Sequence, residues 1–334
     1  MKTNLLPITL FAALMLQSLP ANANKKNILV LEKMKPLLLE KSLEKGRPPH
    51  VSAASGLVKK DSHFYIISDD ENSLFRFAEK SKLEVIPLIS KSLPANNVER
   101  KKVKSDFESA LLFSAEDFEP HGAFLAVPSG STPQRQQAAL IPFKNKSDLD
   151  QPQTIDFAPF YKHFQKYIDE LNIEGALIHK NKVHLFQRGN GKKGMSGIFE
   201  LPVKEFIALL KNKKWDHSLL KFRLLKIGKL DKVRLSITDA ANSRKGILLL
   251  AAAENTMSTY KDGEVKGSVL AILEENEKQK KGDFKILGRL SPDVKAEGIY
   301  VDSSGTEEMI YLVDDADDPA KPSHLYRLKL PNSL

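Results

Sequence analysis

The chain has 334 residues, a formal net charge of +9, 28% charged and 41% hydrophobic residues, and no cysteine. The missing thiol excludes disulfides, thiol catalysis, Cys-ligated zinc and iron–sulfur clusters. The length suits two ordinary domains or one large domain built from repeats, and the basic excess is either a solvated surface or an attraction to phosphates, acidic glycans or lipopolysaccharide.

The chain opens on "MKTNLLPITLFAALMLQSLPANA". Lys2 precedes an apolar run from Leu5 to Leu16, and Ala21-Asn22-Ala23 is an A-x-A cleavage signal. This predicts a signal peptide over residues 1–23 and export to the periplasm or outside the cell. The run is shorter than the ~20 residues of a membrane-spanning helix, and no Cys follows it to carry a lipid. Neither a membrane span nor an anchor is expected, and residues 24–334 form a single mature domain.

Five stretches then line up: "ASGLVKKDSHFYIISDDENSLFRF", "FESALLFSAEDFEPHGAFLAVPSGS", "IEGALIHKNKVHLFQRGN", "TDAANSRKGILLLAAAEN" and "AEGIYVDSSGTEEMIYLVDDADD". Each has a marker at its start, a short apolar strand, a polar turn and a second, more apolar strand. The markers Ser55, Glu108, Glu174, Asp239 and Glu297 stand 53, 66, 65 and 58 residues apart. Third and fourth strand candidates follow in most units, such as "SLFRFAE" and "LEVIPLI". Four short strands in about 60 residues describe a β-propeller blade. The fifth unit runs out after three strands, so "NILVLEKM" at 27–34 is expected to supply its outer strand and close the ring. Five blades follow, or six if one of the longer units hides a degenerate blade. Two helices are expected between blades, over "FAPFYKHFQKYIDEL" at 157–171 and "PVKEFIALLKNKKW" at 202–215.

Other motifs carry less. "GNGKKG" at 189–194 fits G-x-G-x-x-G, but no helix follows, and it reads as a turn. The chain contains no G-x-S-x-G and no H-E-x-x-H. His63, His179 and His184 read as packed or solvated, and His121 falls in a polar turn at the far face. The loop 126–140 either overhangs the channel mouth or is ordinary surface. Basic runs at 100–104 and 211–215 lack interleaved aromatics on a recognisable module, so nucleic acid is not an expected partner.

The strand pairs and the later "DFESALLF", "NIEGALIHKNKVHLFQRGN" and "KAEGIYVDSSGTEEMIYLVDDAD" resemble secreted bacterial propellers of the "esterase-like activity of phytase" group and its uncharacterised relatives. The Glu-Gly strand openings are similar to those of gluconolactonase and paraoxonase-like propellers, and that resemblance implies glutamates holding calcium over the channel. Ser55, without a carboxylate, and Asp239-Ala240, without the Gly, depart from the pattern.

In a blade the start of the innermost strand and the end of the second share one face. This gathers Ser55 with Asp69 and Asp70, Glu108 with Ser129, Glu174 with Arg188 and Asn190, Asp239 with Glu254 and Asn255, and Glu297 with Asp314 and Asp315. Carboxylates so close raise one another's pKa unless a cation joins them, and Ca²⁺ suits such oxygens. Glu108, Glu174, Asp239 and Glu297 are the expected metal ligands. Arg188, Asp69, Asp70, Asp314 and Asp315 are the expected substrate-binding residues. The bland reading is that the acids cap backbone N–H groups and that Arg188 alone neutralises them. The functional expectation is a monomeric, metal-assisted hydrolase of a small anionic substrate, an ester, lactone or phosphoester. The rival is a propeller that binds a glycan, a cell-envelope component or a protein.

Overall fold

The computed structural model describes residues 27–189, 194–255, 264–274 and 281–330. The expected signal peptide, Asn190 and most of "GNGKKG" lie outside these residues. The repeats form five four-stranded antiparallel blades arranged in a ring, a β-propeller. Blade 1 spans strands from Ala54–Lys60 to Glu84–Pro87, blade 2 from Phe107–Phe113 to Gln153–Asp156, and blade 3 from Ile173–His179 to Lys221–Leu225. Blade 4 spans Val233–Ser243 to Lys281–Ser291. Blade 5 has Lys295–Asp302, Met309–Asp315 and His324–Lys329, and its outer strand is the N-terminal Glu32–Pro36.

The closing strand is shorter than the 27–34 expectation and shifted along the chain. Ile28–Val30 pairs in parallel with blade 4, Leu29 opposite Leu290, and only after Leu31 does the chain cross to blade 5. The N-terminal segment therefore staples two neighbouring blades as well as completing one.

Second strands such as "HFYIIS" and "AFLAVP" are apolar throughout because both their faces are covered, one by each neighbouring blade. Five apolar clusters result, one in each gap between blades. Tyr65 and Ile67 of blade 1 meet Phe124 and Ala126 of blade 2. Leu125 and Val127 of blade 2 meet Val183 and Leu185 of blade 3. The remaining gaps are filled in the same way by Phe186 with Leu249, Leu250 with Leu312, and Val313 with Ile66.

The helix expected at 202–215 is present as Val203–Leu210, and Phe206 packs it on Phe113, Phe157 and Phe160. The one expected at 157–171 is broken into a helical turn, Ala158–Tyr161, and a 3₁₀ turn, Phe164–Lys166. Its aromatic stripe is too bulky to lie along one straight helix face here. Phe157, Phe160, Tyr161 and Phe164 instead plug the gap between blades 2 and 3, and the Tyr161 hydroxyl donates to the Pro128 carbonyl at 2.6 Å. Tertiary packing overrides helical periodicity. A third helix, Asn97–Val103, begins at Asn96, whose Oδ1 accepts the N–H groups of Val98 and Glu99. It falls in the stretch that reads as a plain basic run.

The inner strands touch around the axis in blade order, and this makes glycine necessary there. A Cβ on Gly298 would lie 2.8 Å from the Ser55 carbonyl of blade 1 and 2.7 Å from Val313. Gly298→Ala is expected to lower stability by about 1–3 kcal/mol through overpacking, read as a lower denaturation midpoint at unchanged slope.

Candidate functional site

Every inner strand carries an irregularity at its start. In pairing with the second strand, the register skips Ser55, Glu108, Glu174, Thr238 and Glu297. These are β-bulges, which leave the extra residue unpaired and re-aim its side chain. The residue after the bulge faces the next blade and must be small: Gly56, Ser109, Gly175 and Gly298. In blade 4 the bulged residue is Thr238, one place before the expected marker, and Asp239 occupies the glycine position. Its Oδ2 accepts the Ile299 N–H of blade 5 at 2.9 Å, and the N–H groups of Ala240 and of Ala176 in blade 3 also bond to it. Thr238 Oγ1 donates to the Ala296 carbonyl at 2.7 Å. Asp239 thus joins three blades.

Three bulged glutamates and their neighbours surround a cavity at one end of the axis, about 50 Å³ in volume. It is lined by Ser55, Asp69, Lys101, Lys104, Asp106, Glu108, Arg135, Asn172, Glu174, Arg188, Lys295, Glu297 and Asp315, all polar. Of the residues expected from sequence, Glu108, Glu174, Glu297, Arg188, Asp69 and Asp315 meet here. Asp239, Asp70 and Asp314 do not line it. Asp70 lies behind the wall, and Asp314 accepts from the His324 N–H at 2.6 Å and the Tyr326 hydroxyl at 2.9 Å, away from the mouth.

The mouth is an alternation of charges. Lys104 Nζ lies 2.6 Å from Asp69, 3.1 Å from Asp106 and 3.3 Å from Asp70. Arg188 bridges Glu174 at 2.9 Å and Glu254 at 2.5 Å. Lys295 reaches Asp317 at 2.7 Å, Asp315 at 3.1 Å and Glu297 at 3.4 Å. Arg135, from the loop 126–140, binds Asp106 at 2.9 Å, so this loop does reach the mouth. Burial works against the charge on Lys104, but Asp69, Asp106 and Asp70 hold its pKa well above the usual range. Lys295 is held up likewise by Asp315, Glu297 and Asp317. Asp70 is lowered, against burial, by Lys104 and Arg100.

Three glutamates remain under strain. Glu108 receives no hydrogen bond or ion pair among the described residues. Burial, with Glu174, Asp106 and Asp69 beside it, pushes its carboxyl well above the usual glutamate range. Glu297 is raised in the same way by burial, against Lys295 and Arg188. Glu174 is raised by burial although Arg188 opposes it, and its Oε1 also accepts from Asn172 at 2.7 Å. Glu174 Oε2, Glu297 Oε1 and Asp69 Oδ1 are buried and without a hydrogen-bond partner. Buried polar atoms in that state point to water or a ligand.

Oxygens of Asp69, Asp106 and Glu108 lie within 4.8 Å of one another, a spacing that would suit a divalent ion. The Lys104 ammonium already stands between Asp69 and Asp106, so these residues with lysine charged do not fit Ca²⁺. Lys104, Asp106, Arg135 and Lys295 line the mouth and were not among the residues expected there from the sequence. Asn96 with Glu99 three residues on is a helix-capping signature, and Arg100 and Lys104 four apart share a side of that helix. Those signals mark the basic run as structured.

A family model described as a family of unknown function (DUF6929) matches residues 50–330. No curated protein matches the sequence. Among solved structures, the chain is similar to a putative glycosidase from Bacteroides thetaiotaomicron, at 10% identity, TM-score 0.45, covering 89% of this chain and 96% of that one. It is also similar to a GH43 β-1,3-galactosidase in complex with galactodeoxynojirimycin, at 10% identity, TM-score 0.46, covering 90% and 95% of the two chains. An exo-1,5-α-L-arabinanase from a bovine ruminal metagenomic library gives 10% identity and TM-score 0.42 over 87% and 96%. Likeness at this level carries no activity across. No helix among the described residues is long and apolar enough to cross a membrane.

Two outcomes follow from the charges. Lys104→Ala leaves Asp69, Asp106 and Asp70 without their shared cation and is expected to cost about 3–5 kcal/mol. Added Ca²⁺ should restore part of that loss in the variant and raise the wild-type Tm far less, read by thermal melting. The second outcome concerns pH. A carboxyl with a raised folded pKa holds its proton more tightly folded than unfolded. Its contribution is full below the unfolded value of about 4.5 and is lost as pH rises toward the folded one. The Tm advantage of Glu108→Gln over wild type should therefore grow from about pH 5 to about pH 8.

Proposed function

We propose that this chain, which belongs to the DUF6929 family of unknown function, is an exported hydrolase of a small ester, lactone or phosphoester, with Glu108 as its proton donor. The observation that carries the reading is Glu108 itself: a carboxyl lining the mouth, unpartnered among the described residues, its pKa pushed up by burial and by Glu174. Titratable groups perturbed in this way concentrate at functional sites.

Glu108 and Glu174 line the same mouth, and the Glu174 charge raises the proton affinity of Glu108. Arg188 and Asn172 hold Glu174 Oε1 and favour the proton on Glu108, as in other carboxyl pairs whose environments differ. Glu174 takes a proton from an attacking water through its unpartnered Oε2. The water oxygen bonds to the scissile carbon or phosphorus, and Glu108 gives its proton to the leaving oxygen. The cationic lining, including Arg135, stabilises the negative charge that develops. No metal enters these steps. The resemblance to esterase-associated propellers supports the substrate class, and the pattern of residues 1–23 supports export.

The rival, a binding propeller for a cell-envelope component, is favoured by the size of the mouth, which holds only a small group. The mature protein should be assayed against nitrophenyl esters, lactones and phosphate esters. Acid–base catalysis contributes about 10²–10⁴-fold, so Glu108→Gln should lose that much kcat while melting no lower than wild type. Glu174→Gln should remove the rise in rate on the acid side of the pH–rate profile. Absence of turnover on every substrate class, with and without added divalent ions, would favour the binding propeller.

A further inference from the structure

The same face of the ring holds a second and larger cavity that the hydrolytic site does not use. It has a volume of about 200 Å³ and lies where three segments meet: 46–52, before blade 1; 95–100, between blades 1 and 2; and 319–320, in blade 5. Its character is opposite to that of the mouth. No carboxylate lines it. Pro48, Pro319 and Ala320 give apolar walls, and Arg47, His50 and Arg100 supply its polar and cationic groups.

Both arginines are fixed from behind: Arg47 keeps donor capacity, whereas Arg100 spends its Nη hydrogens on Pro94, Ala95, Asp70 and Asn97 and lends the cleft its charge. Arg47 makes a two-pronged ion pair with buried Glu71 through its two Nη atoms. Arg100 is 1% exposed. Its Nη1 donates to the Ala95 carbonyl at 3.0 Å, and its Nη2 reaches Asp70 at 3.2 Å and Asn97 at 3.1 Å. Its Nε is buried with no hydrogen-bond partner. A guanidinium held rigidly by carboxylates behind it loses little entropy when it binds an acceptor in front. His50 Nε2 contacts the Pro319 carbonyl at 3.2 Å and so ties one wall to another.

We infer that this cleft is a binding site for a ring-sized organic carboxylate. The carboxylate faces Arg47 and His50 with the Arg100 charge behind them, and the ring lies between the two prolines. The volume matches the ligand, since a cavity of about 150 Å³ accommodates benzene. Apolar walls with a few convergent polar groups are the usual make-up of small-molecule sites. Asp70 is the partition between the two cavities: Arg100 holds one of its oxygens from the cleft side, and Lys104 holds the other from the mouth side at 3.3 Å. The inference stands on the cleft alone and does not depend on hydrolysis at Glu108.

Benzoate is the probe, with benzyl alcohol as its uncharged counterpart, measured by calorimetry on the mature protein. Benzoate is expected to bind the wild type and Glu108→Gln alike, and benzyl alcohol at least about tenfold more weakly. Ala320→Trp fills the cleft from an exposed rim position, where it leaves the fold intact, and should abolish binding. Failure of benzoate to bind the wild type, equal binding of benzyl alcohol, or unchanged binding in Ala320→Trp would each overturn the inference. Loss of benzoate binding in Glu108→Gln would place the ligand in the mouth and overturn it as well.

Discussion

Five inner strands meet around one axis, and their closeness governs the rest of the structure. Backbone from one blade runs against backbone from the next, so the residue facing the neighbour has almost no room. Gly56, Gly175 and Gly298 answer this by having no side chain. The bulge just before each of them turns its residue out of the crowded seam and into the channel. One constraint therefore explains the position of the recurrent pair: glycine is there for the neighbouring blade, and the bulge turns whichever residue precedes it into the channel.

That placement creates an electrostatic problem which the fold solves with its own cations. Isolated carboxylates in such a setting would neutralise or be expelled. Lys104, just before the inner strand of blade 2, and Arg188, just after the second strand of blade 3, each bridge acids of adjacent blades. Lys295, the first residue of blade 5's inner strand, gathers acids of its own blade. Buried ion pairs of this kind contribute little net stability when compared with apolar packing, but breaking one is costly. The network thus ties blade 1 to blade 2 and blade 3 to blade 4 more than it deepens the fold's stability.

Most of the architecture was legible because each blade repeats the same demand. Second strands such as "ILLLAAA" read as apolar throughout since both their faces are covered, and polar turns separate them at regular intervals. The gathering of Glu108, Glu174 and Glu297 was legible from the antiparallel order alone. Asp239 was misaligned by one place because a carboxylate beside a small residue looks the same in either order. Only pairing register separates a bulged residue from the one after it. Lys104 and Lys295 were hidden for a different reason. A lysine near a run of charges has the same local sequence whether it is solvated or buried, and what distinguishes these two is a set of acids far away along the chain. The fracture of the 157–171 helix was also invisible, because its aromatic spacing suits a helix and only the gap between blades 2 and 3 rejects one.

The balance of charges is what singles out Glu108. Every other acid lining the mouth has a cation within ion-pair distance: Asp69 and Asp106 have Lys104, Glu174 has Arg188, and Glu297 and Asp315 have Lys295. Glutamine at 108 would fill the same space with no buried charge to neutralise, so nothing about blade packing requires an acid there. A partly satisfied buried network is less stable than a complete one, and the bulge that aims this side chain inward works equally well with Ser55 or Thr238. The carboxyl at 108 therefore costs stability without serving the ring. Raised in pKa by burial next to Glu174, it is a feature of the mouth that architecture leaves unexplained.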